Sequence, residues 1–421
     1  MPLVAEELGW FEEADEKVLG LLVRDLPDND YACYVLGRDA KLRFRAVWIE
    51  CSIPTMEEAT TLLEKKLAEH SAMRAEEFYQ GDEVGKPLDF LTPVVNSEDQ
   101  HLNFRNLISG RGYSSAQGVI AEMMHYFQDA DGNFIQQFQS SGFDARLWEL
   151  YLYALFTELG YGFNREHARP DLHCQGLRGE CFVEATTVNP SVDSPQVDDS
   201  TRQAYFEHYV PIKFGSALFS KLSKKYSELP HVAGHPLVFA VQDFHAPHSM
   251  SWSSSALVEY LYGIRQTEKK MADGKIEILS ERVESYIWKE KKIPSGFFFQ
   301  PGAENVSAVL ANPGGTLSKF NRMGFIAGFG DRDIRMVRKG LCYRGTRTSQ
   351  RLADEVHLPE YSETWVEGVS IYHNPRATHP LPEAAIPGAA HHVLRDGRIL
   401  SGMPRFHPVG STTFIVVPKK S

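Results

Sequence analysis

The chain has 421 residues, more than one ordinary domain needs and enough for two or three. A hydrophobic fraction of 43% and a charged fraction of 24% exclude a largely disordered chain, a collagen and a coiled-coil rod. No apolar run approaches the roughly 20 residues of a membrane-spanning helix, the acidic start is unlike a secretory signal, and five scattered cysteines fit a reducing cytoplasm better than a disulfide framework.

Residues 1–90 read as a small α+β domain. Lys17–Asp25, Tyr31–Leu36 and Lys41–Glu50 are rich in strand-forming side chains and are separated by Asn/Asp/Gly turns. A helix is expected from Met56 to Phe78, with Thr55 as N-cap and Glu58 three residues on. Residues 91–140 form a connector with a loop at 109–118 and a helix around Val119–Asp129. Asp144–Leu159 is a strongly apolar helix stopped by Gly160. Three strands follow, Tyr161–His167, Asp171–Cys174 and Glu180–Thr187, then a helix opened by Pro211 and a fourth strand over Pro236–Phe244. This order defines a core at 141–250 in which helices cover a mixed sheet, an α/β layer pattern within an α+β whole. Residues 251–421 are expected as a β-rich extension, with a helix over Ser255–Thr267, strands at Lys275–Glu284 and Val306–Ala311, and long proline-bearing loops over 373–411.

The acidic residues of the core carry the chemistry. Glu149 lies on a helix that is apolar nearly all round, where a carboxylate needs a metal, a proton or a partner such as Arg146. Asp171 opens one strand, and Glu184 sits inside another, on the same face as Phe182 and Thr186 by alternation. Oxygen ligands from one helix and two neighbouring strands suit Mg²⁺ or Mn²⁺, which can activate water for an in-line phosphodiester displacement. Taken in order (helix with Glu149, Pro170-Asp171, Glu184-Ala185-Thr186, helix, strand), residues of about 143–244 resemble the PD-(D/E)XK nuclease superfamily, the restriction-endonuclease-like fold. The resemblance implies a metal-dependent nuclease acting on DNA, with a role in bacterial DNA defence or processing, and Glu149, Asp171 and Glu184 as metal ligands. It departs from the superfamily at Thr186, which stands where a lysine is usual and cannot carry charge. On the following helix Lys221 falls inside the apolar arc, whereas Lys213 and Lys224 fall outside it, so Lys221 is the candidate replacement and Thr186 a helper in placing water. The rival reading is a catalytically inactive module of the same fold that binds nucleic acid or a protein.

Charge is unevenly spread. Residues 1–30 hold nine acids and two bases, and residues 319–351 hold nine Lys/Arg and two Asp. With a net charge of −11, a nuclease needs a local positive track, and Lys319, Arg322, Arg335 and Arg338 are the expected phosphate contacts. No membrane partner is expected, and a homo-oligomer is left open. Zinc and dinucleotide patterns are set aside, because His167, His173, Cys174 and Cys181 match no common zinc spacing and no G-x-G-x-x-G occurs.

Overall fold

A computed structural model describes residues 4–13, 16–129, 132–192, 194–271, 276–346 and 348–419. The content is mixed, 30% helix and 31% strand. The chain divides into two units, one of residues 1–92 with 121–128, the other of 93–120 with 129–421.

The first unit is an antiparallel sheet of β1 (Ala5–Glu13), β2 (Val18–Asp25), β3 (Tyr31–Arg38) and β4 (Phe44–Ile53), in that order, with α1 (Met56–Ser71) against it. Thr55 caps α1 by accepting from the Glu58 N–H. Val18, Leu22, Val35, Leu63 and Leu67 form its core. A Cβ on Gly20 would stand 2.8 Å from Leu67, so glycine there lets the helix approach the strand. β1 was not expected, because its acidic, largely exposed sequence carries little apolar signal. The helix is also shorter than expected, ending at Ser71 before a 3₁₀ turn at Ala75–Phe78.

The second unit begins with α2 (Leu102–Ser109), α3 (Ser114–Tyr126, its end in the first unit), α4 (Phe134–Gln139) and α5 (Phe143–Glu158). Strands β5 (Gly162–Asn164), β6 (Leu172–Gly176) and β7 (Gly179–Val188) form an antiparallel meander. The chain then runs through a short α6 (Arg202–Ala204), a π turn at Tyr205–Tyr209 and α7 (Val210–Leu222) to β8 (Leu237–Asp243), parallel to β7. The segment expected as helix to Thr267 ends at Tyr262 as α8 (Ser254–Tyr262), and Gly263 turns the chain in the left-handed region into β9 (Ile264–Lys270), which pairs with β10 (Ile276–Arg282). After a small hairpin of β11 (Ser285–Trp288) and β12 (Lys291–Pro294), β13 (Ala308–Ala311) joins the main sheet parallel to β8. Helix α9 (Leu317–Ile326) follows, then β14 (Arg335–Arg344) and β15 (Gln350–Glu355). Last come β16 (Ser370–His373), β17 (Ala390–Arg395), β18 (Arg398–Gly402) and β19 (Phe406–Val416); β17, β18 and the start of β19 fall in 373–411, expected as loops.

The main sheet has eight strands in the order β18-β17-β16-β13-β8-β7-β6-β5. The expected boundary at 250 therefore falls within one sheet, half of whose strands come from residues 308–402. β8 is buried along its whole length, as a central parallel strand requires. Leu237, Phe239 and Val241 pack into a cluster with Phe182, Phe214, Leu218 and Tyr226, so α7 covers this face. Helix α5 packs on β7, and its Trp148 donates from Nε1 to the Ala240 carbonyl at 3.1 Å. No helix among the described residues is long and apolar enough to cross a membrane.

Trp148 is fully buried and fixes the helix that carries Glu149. Trp148→Ala is expected to lower stability by about 3–5 kcal/mol, read from urea denaturation.

Candidate active site

β7 and α7 bring the central pair together. Glu184 is 3% exposed, in register with Phe239 of β8, and faces α7. Lys221 extends from the last turn of α7 and donates to Glu184 Oε1 at 2.5 Å. The Tyr226 hydroxyl, from the next turn, donates to the same oxygen at 2.6 Å. Lys221 thus points at the sheet, as its place in the apolar arc predicts. The other lysines do not join it: Lys213 bonds Ser191 and Lys225 pairs with Glu228 at the surface. Thr186 is half-buried, two residues along β7 on the Glu184 face.

Asp171 lies one residue before β6, next to the Leu172–Val183 pair, and its Oδ2 accepts from the Ala185 N–H at 2.7 Å. Burial, reinforced by the charges of Glu184 and Glu149, pushes the Asp171 carboxyl up to about 8, against the smaller opposing pull of Lys221. The Glu149 carboxyl is also raised by burial, although Arg146 clamps both oxygens at 3.0 and 2.8 Å. Lys221 and Glu184 act on Glu149 as well, so the three acids and Lys221 share one electrostatic neighbourhood.

The donor set suits a hard cation in part. Asp171 Oδ1 and Glu184 Oε2 have no hydrogen-bond partner among the described residues, while both oxygens of Glu149 are taken by Arg146. Among the described residues, no three His, Cys, Asp or Glu side chains stand close enough together to hold a metal ion. His173 turns to Glu180, at 2.5 Å, and stacks on Phe182. Tyr226 is not among the expected site residues: helical spacing places it on the apolar face but does not mark its hydroxyl as a partner for Glu184, which it reaches from the 3₁₀ turn after α7.

The basic segment requires a correction. Lys319, Arg322 and Arg338 are 0%, 2% and 2% exposed and converge on one buried carboxylate. Glu363 pairs with Arg322 at 2.7 Å, Lys319 at 3.1 Å and Arg338 at 3.5 Å, and Arg338 also bonds Glu367 at 2.6 Å. These cations are interior struts between α9, β14 and the loop at 356–369, not a track for phosphates. Of the four expected contacts, Arg335 is exposed. Local sequence does not reveal this burial, because the neutralising acids lie some 25–45 positions later in the chain.

No protein-family model, curated protein or solved structure matches the chain.

Two measurements follow from these clusters. Burial raises the Glu363 carboxyl, but Arg322, Lys319 and Arg338 outweigh it and hold it well below the usual range. Glu363→Gln leaves the buried Arg322 and Lys319 without a carboxylate, while Arg338 keeps Glu367, and is expected to cost about 3–5 kcal/mol in denaturant unfolding. For Asp171, the folded state keeps a proton that the unfolded chain loses near pH 4, so metal-free stability falls as pH rises from about 4 to about 8. Melting of Asp171→Asn in chelator should show a shallower fall across that window than the wild type.

Proposed function

We propose that the acidic site is the hydrolytic centre of a metal-dependent nuclease of the PD-(D/E)XK type, with DNA as the substrate that the resemblance implies. The observation that carries this reading is the Lys221–Glu184 contact: a lysine from α7 stands beside the β7 acid, which compensates for threonine at 186. Asp171 and Glu184 would hold Mg²⁺ or Mn²⁺ through their free oxygens, and Glu149 would add an oxygen on leaving Arg146. The ion would supply a more acidic bound water and a positive charge for the phosphoryl oxygens. Lys221 orients the attacking water and supports negative charge as it develops on the phosphate. Tyr226 fixes the Glu184 rotamer, and the Ala185 amide fixes Asp171. Thr186 can place water through its hydroxyl but carries no charge.

The second reading, an inactive module that binds nucleic acid or a protein, has its own support. Arg146 and Lys221 already neutralise Glu149 and Glu184 within the protein, as they would in a site that no longer holds metal.

The test is nicking and linearisation of supercoiled DNA with Mg²⁺ or Mn²⁺, using wild type, Glu184→Gln, Lys221→Ala and Lys213→Ala. Glu184→Gln and Lys221→Ala are expected to lose about 100-fold or more in rate, and Lys213→Ala to keep the wild-type rate. Full activity of Lys221→Ala would remove its role. Wild type that neither cleaves nor gains thermal stability with Mn²⁺ would favour the inactive module.

A further inference from the structure

The loop between β5 and β6 ends where the acidic site begins. It carries Arg165, His167 and Arg169, and Asp171 follows two residues after the last of these. Two residues span at most about 7 Å, so the Arg169 side chain starts beside Asp171. The backbone of the loop is anchored. His231, on the connector between Tyr226 and β8, donates from Nε2 to the Arg169 carbonyl at 2.7 Å. The His167 ring lies flat on that of His231, with centroids 3.7 Å apart, and His231 in turn meets the buried Phe182 ring at 5.8 Å.

The Arg169 side chain takes no part in this anchoring. It is exposed, and among the described residues its guanidinium has no hydrogen bond and no ion pair. The neighbouring arginines are engaged: Arg146 clamps Glu149, and Arg165 lies over the rings of Tyr153 and Phe163. The charge of Arg169 nevertheless reaches the site. Burial raises the Tyr226 hydroxyl, Glu184 and Asp171 raise it further, and Arg169 opposes them. One hydroxyl therefore feels both acids of the proposed metal site and the free arginine. Acids repel a polyanion, and three of the four cations expected to offset that repulsion are interior. Arg169 is a free positive charge at the edge of the site itself.

We propose that Arg169 grips a backbone phosphate of DNA adjoining the one attacked at Asp171 and Glu184. The ligand rests on the nuclease reading above. The planar guanidinium matches two phosphate oxygens at once, which a lysine cannot do. The histidine pair fixes where the side chain begins, so less freedom is lost on binding than for an arginine on a free loop.

The experiment is fluorescence anisotropy of the full chain with short labelled duplex and single-stranded oligonucleotides, in chelator, over a salt series. Wild type, Arg169→Ala, Arg169→Lys and Arg351→Ala are compared, the last removing an exposed charge from β15. Arg169→Ala is expected to bind about tenfold more weakly, to flatten the duplex salt slope by about 0.9, and to keep the wild-type melting temperature. Arg169→Lys is expected to keep the slope and lose part of the affinity, and Arg351→Ala to match the wild type. Cleavage is read separately with Mn²⁺. Binding that depends on Arg169 without any cleavage leaves the phosphate contact standing and removes the hydrolytic reading. Cleavage by Arg169→Ala with the wild-type KM and salt slope removes the contact and leaves that reading. Failure of the wild type to bind either oligonucleotide, or an equal loss in Arg351→Ala, overturns the proposal.

Discussion

The Glu184 carboxylate sits inside a central strand, almost sealed from solvent, with Lys221 and Tyr226 on one of its oxygens. A charge at that depth is tolerated only with close, well-directed partners. This requirement reaches well beyond the pair. It fixes the rotation of α7 about its axis, since turning Lys221 away would strand the acid. It also sets where α7 must stop, because Tyr226 arrives only when the chain leaves the helix after Leu222. The parallel β7–α7–β8 crossover is thus held by apolar packing around Phe182, Phe239 and Leu218 and given its register by one polar contact.

The two charged clusters of the second unit are opposite in sign. Around Glu363 and Glu367, three cations meet two acids, and each cation has found a carboxylate oxygen. Around Glu184, three acids meet Arg146 and Lys221, and the shortfall of one positive charge is made up by the proton that Asp171 retains. The first cluster is closed within the protein. Among the described residues, the second keeps two carboxylate oxygens without hydrogen-bond partners, which is why it, rather than the richer cluster of cations, is the place to look for chemistry.

Legibility in the sequence followed the range of the forces involved. Strands β2, β3, β6, β7 and β8 and helix α5 were readable because their side chains alternate or recur on one face. The place of Lys221 was readable for the same reason, as helical spacing is local. The burial of Lys319, Arg322 and Arg338 was not, because a lysine reads alike in water and against a distant glutamate. β1 and β17–β19 were hidden too, their strands being largely exposed or half-exposed and fixed by pairing partners rather than by their own pattern. His392 of β17 and His407 of β19 are brought near one another from strands of two different sheets, and nothing in either local sequence announces it.

The strand order of the main sheet has a consequence for synthesis on the ribosome. β8 pairs on one side with β7, which has already emerged, and on the other with β13, which is still some 65 residues from being made. At about 5–20 residues per second, a mostly apolar strand waits on the order of ten seconds with one row of backbone N–H and C=O groups open. Such an edge is a template for pairing with any other extended chain. The hairpins β9–β10 and β11–β12 and helix α8 are translated during that interval, and Tyr260, Tyr286 and Phe297 from this stretch pack into the same cluster as Phe239. The insertion can therefore shelter the face of the growing sheet before its remaining strands exist, a chaperone written into the order of the chain.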